Sequence, residues 1–150
     1  MNIRKVRTSD VKGIAECVQS AYYHYIDRIG SKPAPMLADY NKYVENNNSY
    51  VIEEERFGIA GVLNLVIFRN TFLLENIAVH KSAQGKGYGR MLLKLAEETA
   101  KSHKFEVINL YTHYKMKENI ILYQRIGYEI FDRIRENGYD RIYMRKELKD

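Results

Sequence analysis

The sequence predicts an α/β (α+β) fold: a mixed central sheet of about seven strands flanked by four helices, in the order β-α-α-β-β-β-α-β-α-β-β. Three observations predict it. The apolar run Phe72-Leu73-Leu74-Glu75-Asn76-Ile77-Ala78-Val79 reads as a buried strand. It feeds a glycine-rich loop, Gln84-Gly85-Lys86-Gly87-Tyr88-Gly89, that opens straight into an amphipathic helix beginning Arg90-Met91-Leu92-Leu93. Strand-like segments dominate the middle of the chain while helical patterns flank them, which calls for a mixed sheet with helices on both faces.

Taken in order, Ile3 to Arg7 alternates as a short strand. Thr8 or Ser9 is placed to cap the next helix, with Asp10 in its first turn. Val11, Ile14, Ala15, Val18, Tyr22 and Tyr25 recur at helical spacing, and Gly30 to Pro35 breaks the pattern. Met36 to Val44 suggests a second, shorter helix, and Asn46-Asn47-Asn48 a turn. Ser49 to Glu54 and Ile59 to Phe68 read as strands joined near Gly58, and Arg69-Asn70 turns into the buried strand. The helix after the glycine loop runs to about Lys101, with Met91, Leu92, Leu95, Ala96 and Thr99 inward and Glu97 and Lys101 outward. Val107 to Thr112 is a strand, and Glu118 to Arg125 a short helix stopped by Gly127. Tyr128 to Arg133 and Arg141 to Lys146 close the sheet as a hairpin around Asn137-Gly138.

The chain has 150 residues, read as one domain over 1–150, long enough to bury a core. No apolar run approaches the ~20 residues that span a bilayer. No signal-peptide core follows Met1-Asn2-Ile3-Arg4-Lys5. Cys17 is the one cysteine, so an internal disulfide is excluded and a cytoplasmic setting is expected. The net charge of +5 suits an anionic ligand, but the basic residues are interspersed with acids, so neither nucleic acid nor membrane is expected as a partner. No His/Cys/Asp spacing marks a metal site.

Glycines in a loop before a helix let backbone N–H groups approach a phosphate, and the helix N-terminus adds partial positive charge. The loop lacks the Lys-Ser/Thr pair of a nucleotide triphosphatase and follows the fourth strand, not the first as in a dinucleotide fold. A plain strand-to-helix turn is the competing reading. About 30 residues on, Asn119 and Tyr123 lie one turn apart on one helix face, with Leu122 and Ile126 on the adjoining face expected to pack on the sheet. Tyr123 as a core aromatic and Asn119 as a cap is the alternative there.

Together these pieces resemble the GNAT superfamily of acetyl-coenzyme A-dependent N-acetyltransferases. Gln84, Gly87 and Gly89 match its Q/R-x-x-G-x-G/A motif, and Asn119, Leu122-Tyr123 and Gly127-Tyr128 match its downstream pattern. The resemblance runs from about Ile3 to Leu148. Lys81 stands where family members often carry proline, a departure that bears on turn stiffness. The resemblance implies that amides of Gln84, Gly85, Lys86, Gly87, Tyr88, Gly89 and Arg90 hold the coenzyme A pyrophosphate. It implies that Ile77, Ala78 and Val79 pair with the pantetheine arm like an added strand. Asn119 and Tyr123 complete the cofactor set. Lys86 and Arg90 are each read equally as phosphate contacts or as solvated side chains.

The activity implied is transfer of acetyl to a primary amine, of a small molecule or a protein, by direct attack in a ternary complex. A non-catalytic coenzyme A sensor on the same fold is the alternative. Tyr123 resembles the family's general acid. Glu75, the acid in an otherwise apolar strand, is the candidate base, with a structural carboxylate as the competing reading. Its strand parity groups it with Leu73, Ile77 and Val79. The backbone N–H of Ile77 is a candidate oxyanion donor. The acceptor site is expected around Tyr22, Tyr25, Met36, Glu75 and Tyr111, with Tyr23, His24 and Tyr40 as further candidates and Tyr111 to Met116 as a wall. Glu53, Glu54 and Glu55 can attract a cationic amine or simply end a strand in solvent. The acceptor's identity and the oligomeric state, a homodimer included, stay open.

Overall fold

The computed structural model describes residues 1–149. The strands are β1 (Asn2–Lys5), β2 (Ser49–Glu54), β3 (Gly58–Phe68), β4 (Thr71–Val79), β5 (Val107–His113), β6 (Glu129–Glu136) and β7 (Tyr139–Glu147). The helices are α1 (Val11–Tyr22), α2 (Tyr25–Ile29), α3 (Asn41–Glu45), α4 (Tyr88–Ser102) and α5 (Lys117–Arg125). The seven strands form one sheet in the order β1-β2-β3-β4-β5-β7-β6, antiparallel except for β4 beside β5. The predicted mixed α/β sheet is therefore present.

Two features of β4 position everything that follows. Opposite Asn64/Leu65 the β3–β4 register slips, pairing Asn64 with Asn76 but Leu65 with Leu74, so Glu75 is the extra residue of a bulge. The bulge reverses the alternation. Phe72, Leu74, Ile77 and Val79 pack in the core under α4, whereas Asn76 and Ala78 face α1. The predicted grouping of Glu75 with Ile77 and Val79 is thus corrected: a period of two cannot carry through an inserted residue. Second, β4 pairs with β5 only at Leu73 and Leu74. Beyond that point the strands part, leaving the β5 side of residues 75–79 without a ladder.

One core lies between the sheet and α4, with Leu92, Ala96 and Ala100 meeting Leu63, Leu65, Ile108 and Met144. The other lies under α1, with Ile14, Cys17 and Val18 on Val51, Val62 and Ala78. Each buried aliphatic side chain contributes about 1.5–3 kcal/mol. A charged cluster fastens the N-terminal edge. Arg4 forks onto Asp10 at 2.7 and 2.9 Å and reaches Glu53 at 3.1 Å, while the backbone N–H of Arg7 donates to Asp10 at 2.7 Å.

Several local expectations need correction. Neither Thr8 nor Ser9 caps α1; a 3-10 turn intervenes and Asp10 reaches back to Arg7 instead. The first helix is broken at Tyr23–His24, where Ile26 N–H bonds back only three residues to Tyr23. Left-handed Gly30 then ends α2. The span Met36 to Val44 divides into a 3-10 turn, Ala34–Leu37, and α3. On α4 the buried stripe of Leu92, Leu93, Ala96, Thr99 and Ala100 keeps the predicted Leu92, Ala96 and Thr99, with Leu95 packed at its edge, while Met91 is exposed. On α5 it is Tyr123 that enters the core, while Leu122 is exposed.

Candidate active site

Where β4 and β5 part, two cavities open, one on each side. The first is a groove of ≈ 1380 Å³ running along residues 77–79, past the loop from Gln84 to Arg90, to Asn119, Leu122 and Tyr123 on α5. The exposure of Leu122 has its reason here, since it lines this groove. Gly85 and Gly87 hold φ of +88° and +83°, a left-handed conformation that other residues adopt at a cost. A Cβ on either would meet no protein atom within 4 Å, and one on Gly89 would lie an ordinary 3.8 Å from Val79. Packing does not demand these glycines; at Gly85 and Gly87 the left-handed backbone does, and together they leave the loop face open beside the α4 N-terminus. That surface suits a phosphate.

The two cations near the loop separate. Arg90 lines the groove. Lys86 does not; its Nζ sits 3.1 Å from Glu54, which also accepts the Tyr88 hydroxyl at 2.5 Å. Glu54 thereby ties the loop to β2, and these donors hold its carboxyl below the usual range, Tyr88 foremost. Glu53 is likewise engaged, by Arg4. Glu53 and Glu54 therefore belong to structural contacts, whereas Glu55 is exposed and makes no ion pair among the described residues.

The second cavity lies on the α1 side of the sheet. Of the residues expected there, Tyr22, Glu75 and Tyr111 line it. Tyr25 and Met36 do not: Tyr25 packs against His24 and beneath Arg28, and Met36 is buried with its carbonyl accepting from Gln19. Tyr23 is exposed, and Tyr40 donates to the Pro35 carbonyl. The segment Tyr111 to Met116 supplies Tyr111, Thr112, His113 and Met116. Not foreseen were Asn76, Pro33 to Pro35, Tyr139 and Arg141. For Asn76 a signal existed: two consecutive polar residues, Glu75-Asn76, inside a buried strand imply a bulge. Arg141 gave none, because its place follows from pairing with His113 across β5 and β7.

A directed hydrogen-bond network surrounds Glu75. Tyr22 Oη sits 3.1 Å from Asn76 Oδ1 and 3.0 Å from the Ile77 carbonyl, able to donate to either. Asn76 Nδ2 donates to Tyr43 Oη at 3.0 Å, and Tyr43 donates to Glu75 Oε1 at 3.3 Å. Asn64 Nδ2 donates to the same oxygen at 2.8 Å. Asn64 is itself fixed by Ser49 and Asn46. Both donors use Oε1, so among the described residues Oε2 makes no hydrogen bond. Burial pushes the phenols of Tyr22 and Tyr43 well up, keeping them protonated as donors.

Groove and pocket share three residues: Ile77, Asn119 and Tyr123. They meet where the strands part. Burial pushes the Tyr123 phenol up, and its ring packs edge-on against Tyr128 at 5.8 Å. Cys17 lies elsewhere, fully buried, its thiol pushed up to about 12 by burial.

With this geometry in hand, comparison with known proteins is decisive. The family model described as the acetyltransferase (GNAT) domain matches residues 45–130, more than half the chain. The chain belongs to the GNAT acetyltransferase family. The matched span takes in β2 to the start of β6, and so the bulge, the glycine loop and α5. A curated relative, the uncharacterized N-acetyltransferase YhfO of Bacillus subtilis strain 168, is 29% identical over 136 residues, covering 86% of this chain and 90% of its own. The IAA acetyltransferase of Bacillus cereus ATCC 14579 is 26% identical with a TM-score of 0.68, covering 98% and 99%. The PaiA N-acetyltransferase of Thermoplasma acidophilum, solved in complex with coenzyme A, shares the fold at 20% identity and a TM-score of 0.78, covering 97% and 98%. As a GNAT protein the chain is an acyltransferase. Among the described residues no helix is long and apolar enough to cross a membrane, and no cluster of metal-ligating side chains occurs.

Proposed function

We propose that this GNAT domain, residues 1–150, transfers the acetyl group of acetyl-coenzyme A to a primary amine by direct attack within a ternary complex. The observation that carries the reading is the meeting of two cavities at Ile77, Asn119 and Tyr123. A sensor needs only the groove. A second pocket that opens on the same three residues, with a carboxylate on its wall, is what a two-substrate transferase requires.

In this reading the Gln84–Arg90 amides and the α4 N-terminus hold the diphosphate, with Arg90 beside them and Lys86 held back by Glu54. The unladdered edge of Ile77, Ala78 and Val79 offers N–H and C=O groups to the pantetheine amides. The acceptor enters from the α1 side. An alkylammonium with a pKa near 10 must lose a proton before its nitrogen can attack. Glu75 takes that proton on Oε2, directly or through a water, while Tyr43 and Asn64 fix its other oxygen. The nitrogen forms its bond to the thioester carbon, and the Ile77 N–H is placed to receive the developing oxyanion. The C–S bond then breaks, the electron pair leaves on sulfur, and the second proton of the attacking nitrogen is released to solvent, giving the neutral amide and the coenzyme thiolate. Tyr123 donates a hydrogen bond to that sulfur. Its phenol, raised above an ordinary value near 10, is a weaker acid than a thiol near 8.5. It therefore stabilises the thiolate rather than protonating it outright. The buried, poorly acidic Cys17 has no part, consistent with direct transfer.

Acceptor-dependent thiol release from acetyl-coenzyme A is the test, with Glu75→Gln as the variant. Loss of a positioned base is expected to lower kcat by about 10²–10⁴-fold near neutral pH. The deficit should shrink as pH rises toward the amine's own pKa. A Glu75→Gln enzyme at full rate across pH would remove Glu75 from the chemistry.

A further inference from the structure

The acceptor pocket carries two opposite charges on different walls. Glu75 lies on the β4 wall. Arg141 lies on the β7 wall, its guanidinium stacked 4.4 Å from the centre of the Tyr111 ring. Tyr111 lines the same pocket as both charges. The Arg141 side chain is 12% exposed, so its charge is largely withdrawn from water. One nitrogen, Nη1, is engaged by Glu136 at 2.9 Å. Among the described residues Nε and Nη2 have no hydrogen-bond partner, although a guanidinium presents five donors in a planar fork. Glu136 is shared further, since it also accepts the Tyr143 hydroxyl. His113, paired with Arg141 across the strands, accepts the Lys115 N–H on Nδ1. In its neutral form it therefore carries its proton on Nε2 and adds a second donor to this end of the pocket.

Above the pocket Pro33, Ala34 and Pro35 form a roof. Three bonds pin it: Tyr139 Oη to the Lys32 carbonyl at 2.6 Å, Tyr40 Oη to the Pro35 carbonyl at 2.5 Å, and Gln19 Nε2 to the Met36 carbonyl at 3.0 Å. These bonds fix one wall of the pocket, which is otherwise lined by tyrosine rings.

Resting on the transferase reading above, we propose that the acceptor is an amino acid with an apolar or aromatic side chain, its carboxylate bound by the free edge of Arg141 and its amine directed to Glu75. Arg141 is then the residue that determines specificity. A lone amine would fill the Glu75 end but leave a desolvated guanidinium edge unmatched, and a planar fork matches a carboxylate.

The experiment measures thiol release with matched pairs: phenylalanine against phenethylamine and phenylalaninamide, and leucine against isoamylamine. The amino acids are expected to exceed their carboxylate-free partners at least tenfold in kcat/KM. Arg141→Gln should raise KM for the amino acids at least tenfold, with little change for the amines, and so erase the preference. Glu136→Gln, which releases Arg141 from its partner, should lower KM for the amino acids. A coenzyme A-induced rise in Tm for Arg141→Gln verifies its fold independently of acceptor binding. Equal or better use of the amines by the unaltered enzyme would overturn the proposal while leaving the transferase reading intact. So would an unchanged preference in both variants. Absence of thiol release with every amine would overturn the transferase reading and the proposal with it.

Discussion

The groove proposed for the coenzyme is shaped mainly by backbone, whereas the pocket proposed for the acceptor is lined mainly by side chains. Left-handed glycines, the first turn of α4 and an unladdered strand edge build the groove. Its parts on β4 and the loop lie within about fifteen consecutive residues, 77–90. The pocket gathers Tyr22 from α1, a proline roof, Glu75 from the bulge, Tyr111 and His113 from β5, and Arg141 from β7. A site made of main chain constrains a short run of sequence tightly, because only certain residues permit the conformation. A site made of side chains constrains widely separated positions loosely, each exchangeable for another chemistry. One side of the junction can therefore hold the same coenzyme throughout a family while the other side changes its substrate.

Breaking the backbone side should have the largest effect. Gly87→Val places a β-branched residue at φ +83° and puts a side chain on the open face of the loop. Loss of measurable coenzyme A binding by calorimetry is expected, together with some loss of stability. Retained affinity would show that the loop amides do not contact the coenzyme.

Tyr123→Phe comes next and sharpens the comparison, because Tyr123 belongs to both cavities. Removing a hydrogen bond to a charged sulfur should cost about 1.5–3 kcal/mol, roughly 10–100-fold in kcat, with KM for acetyl-coenzyme A little changed. Burial raises the phenol, so it stays protonated through the neutral range. No alkaline fall in kcat from Tyr123 should therefore appear below about pH 10 in the unaltered enzyme. A fall that vanishes in Tyr123→Phe would place its pKa lower than this environment implies.

The smallest effect on activity should come from outside both cavities, at the Arg4–Asp10 cluster. Asp10→Asn leaves a largely buried guanidinium under-paired and should destabilise by about 3 kcal/mol, read as a lower denaturant midpoint, with little change in kcat. The Arg4 guanidinium holds the Asp10 carboxyl below its usual range. The carboxylate therefore contributes its full stabilisation above the unfolded value near 3.9 and loses it as pH falls through the lower folded value. Acid unfolding below about pH 4 should be shallower in Asp10→Asn than in the parent.

The same contrast explains what could be read from the chain beforehand. The seven strands, the helices α4 and α5 and the glycine loop follow from periodicity and residue type and were legible, whereas the two helices expected before β2 are three. Glu75 stood out as the acid of an apolar strand, but its bulge was not read, because the register slip that turns Glu75 toward Tyr43 depends on β3 pairing. Met91 and Leu122 were misplaced for different reasons. The α4 stripe centres toward Leu93 and Ala100, which leaves Met91 at its exposed edge, and Leu122 answers to a cavity rather than to a core. Arg141 and the Lys32–Pro35 roof were illegible, since strand register and a tyrosine more than a hundred residues away in sequence put them there. Lys86 looked as suited to phosphate as Arg90 until Glu54 appeared beside it.

A crystal structure of the chain with coenzyme A tests the central claim most directly. The diphosphate should rest on the amides of Gln84 to Arg90, the pantetheine should pair with residues 77–79, and the sulfur should lie within hydrogen-bonding reach of the Tyr123 hydroxyl, facing the Glu75 pocket. A coenzyme whose sulfur ends away from Tyr123, or whose arm leaves the two cavities unconnected, would contradict it.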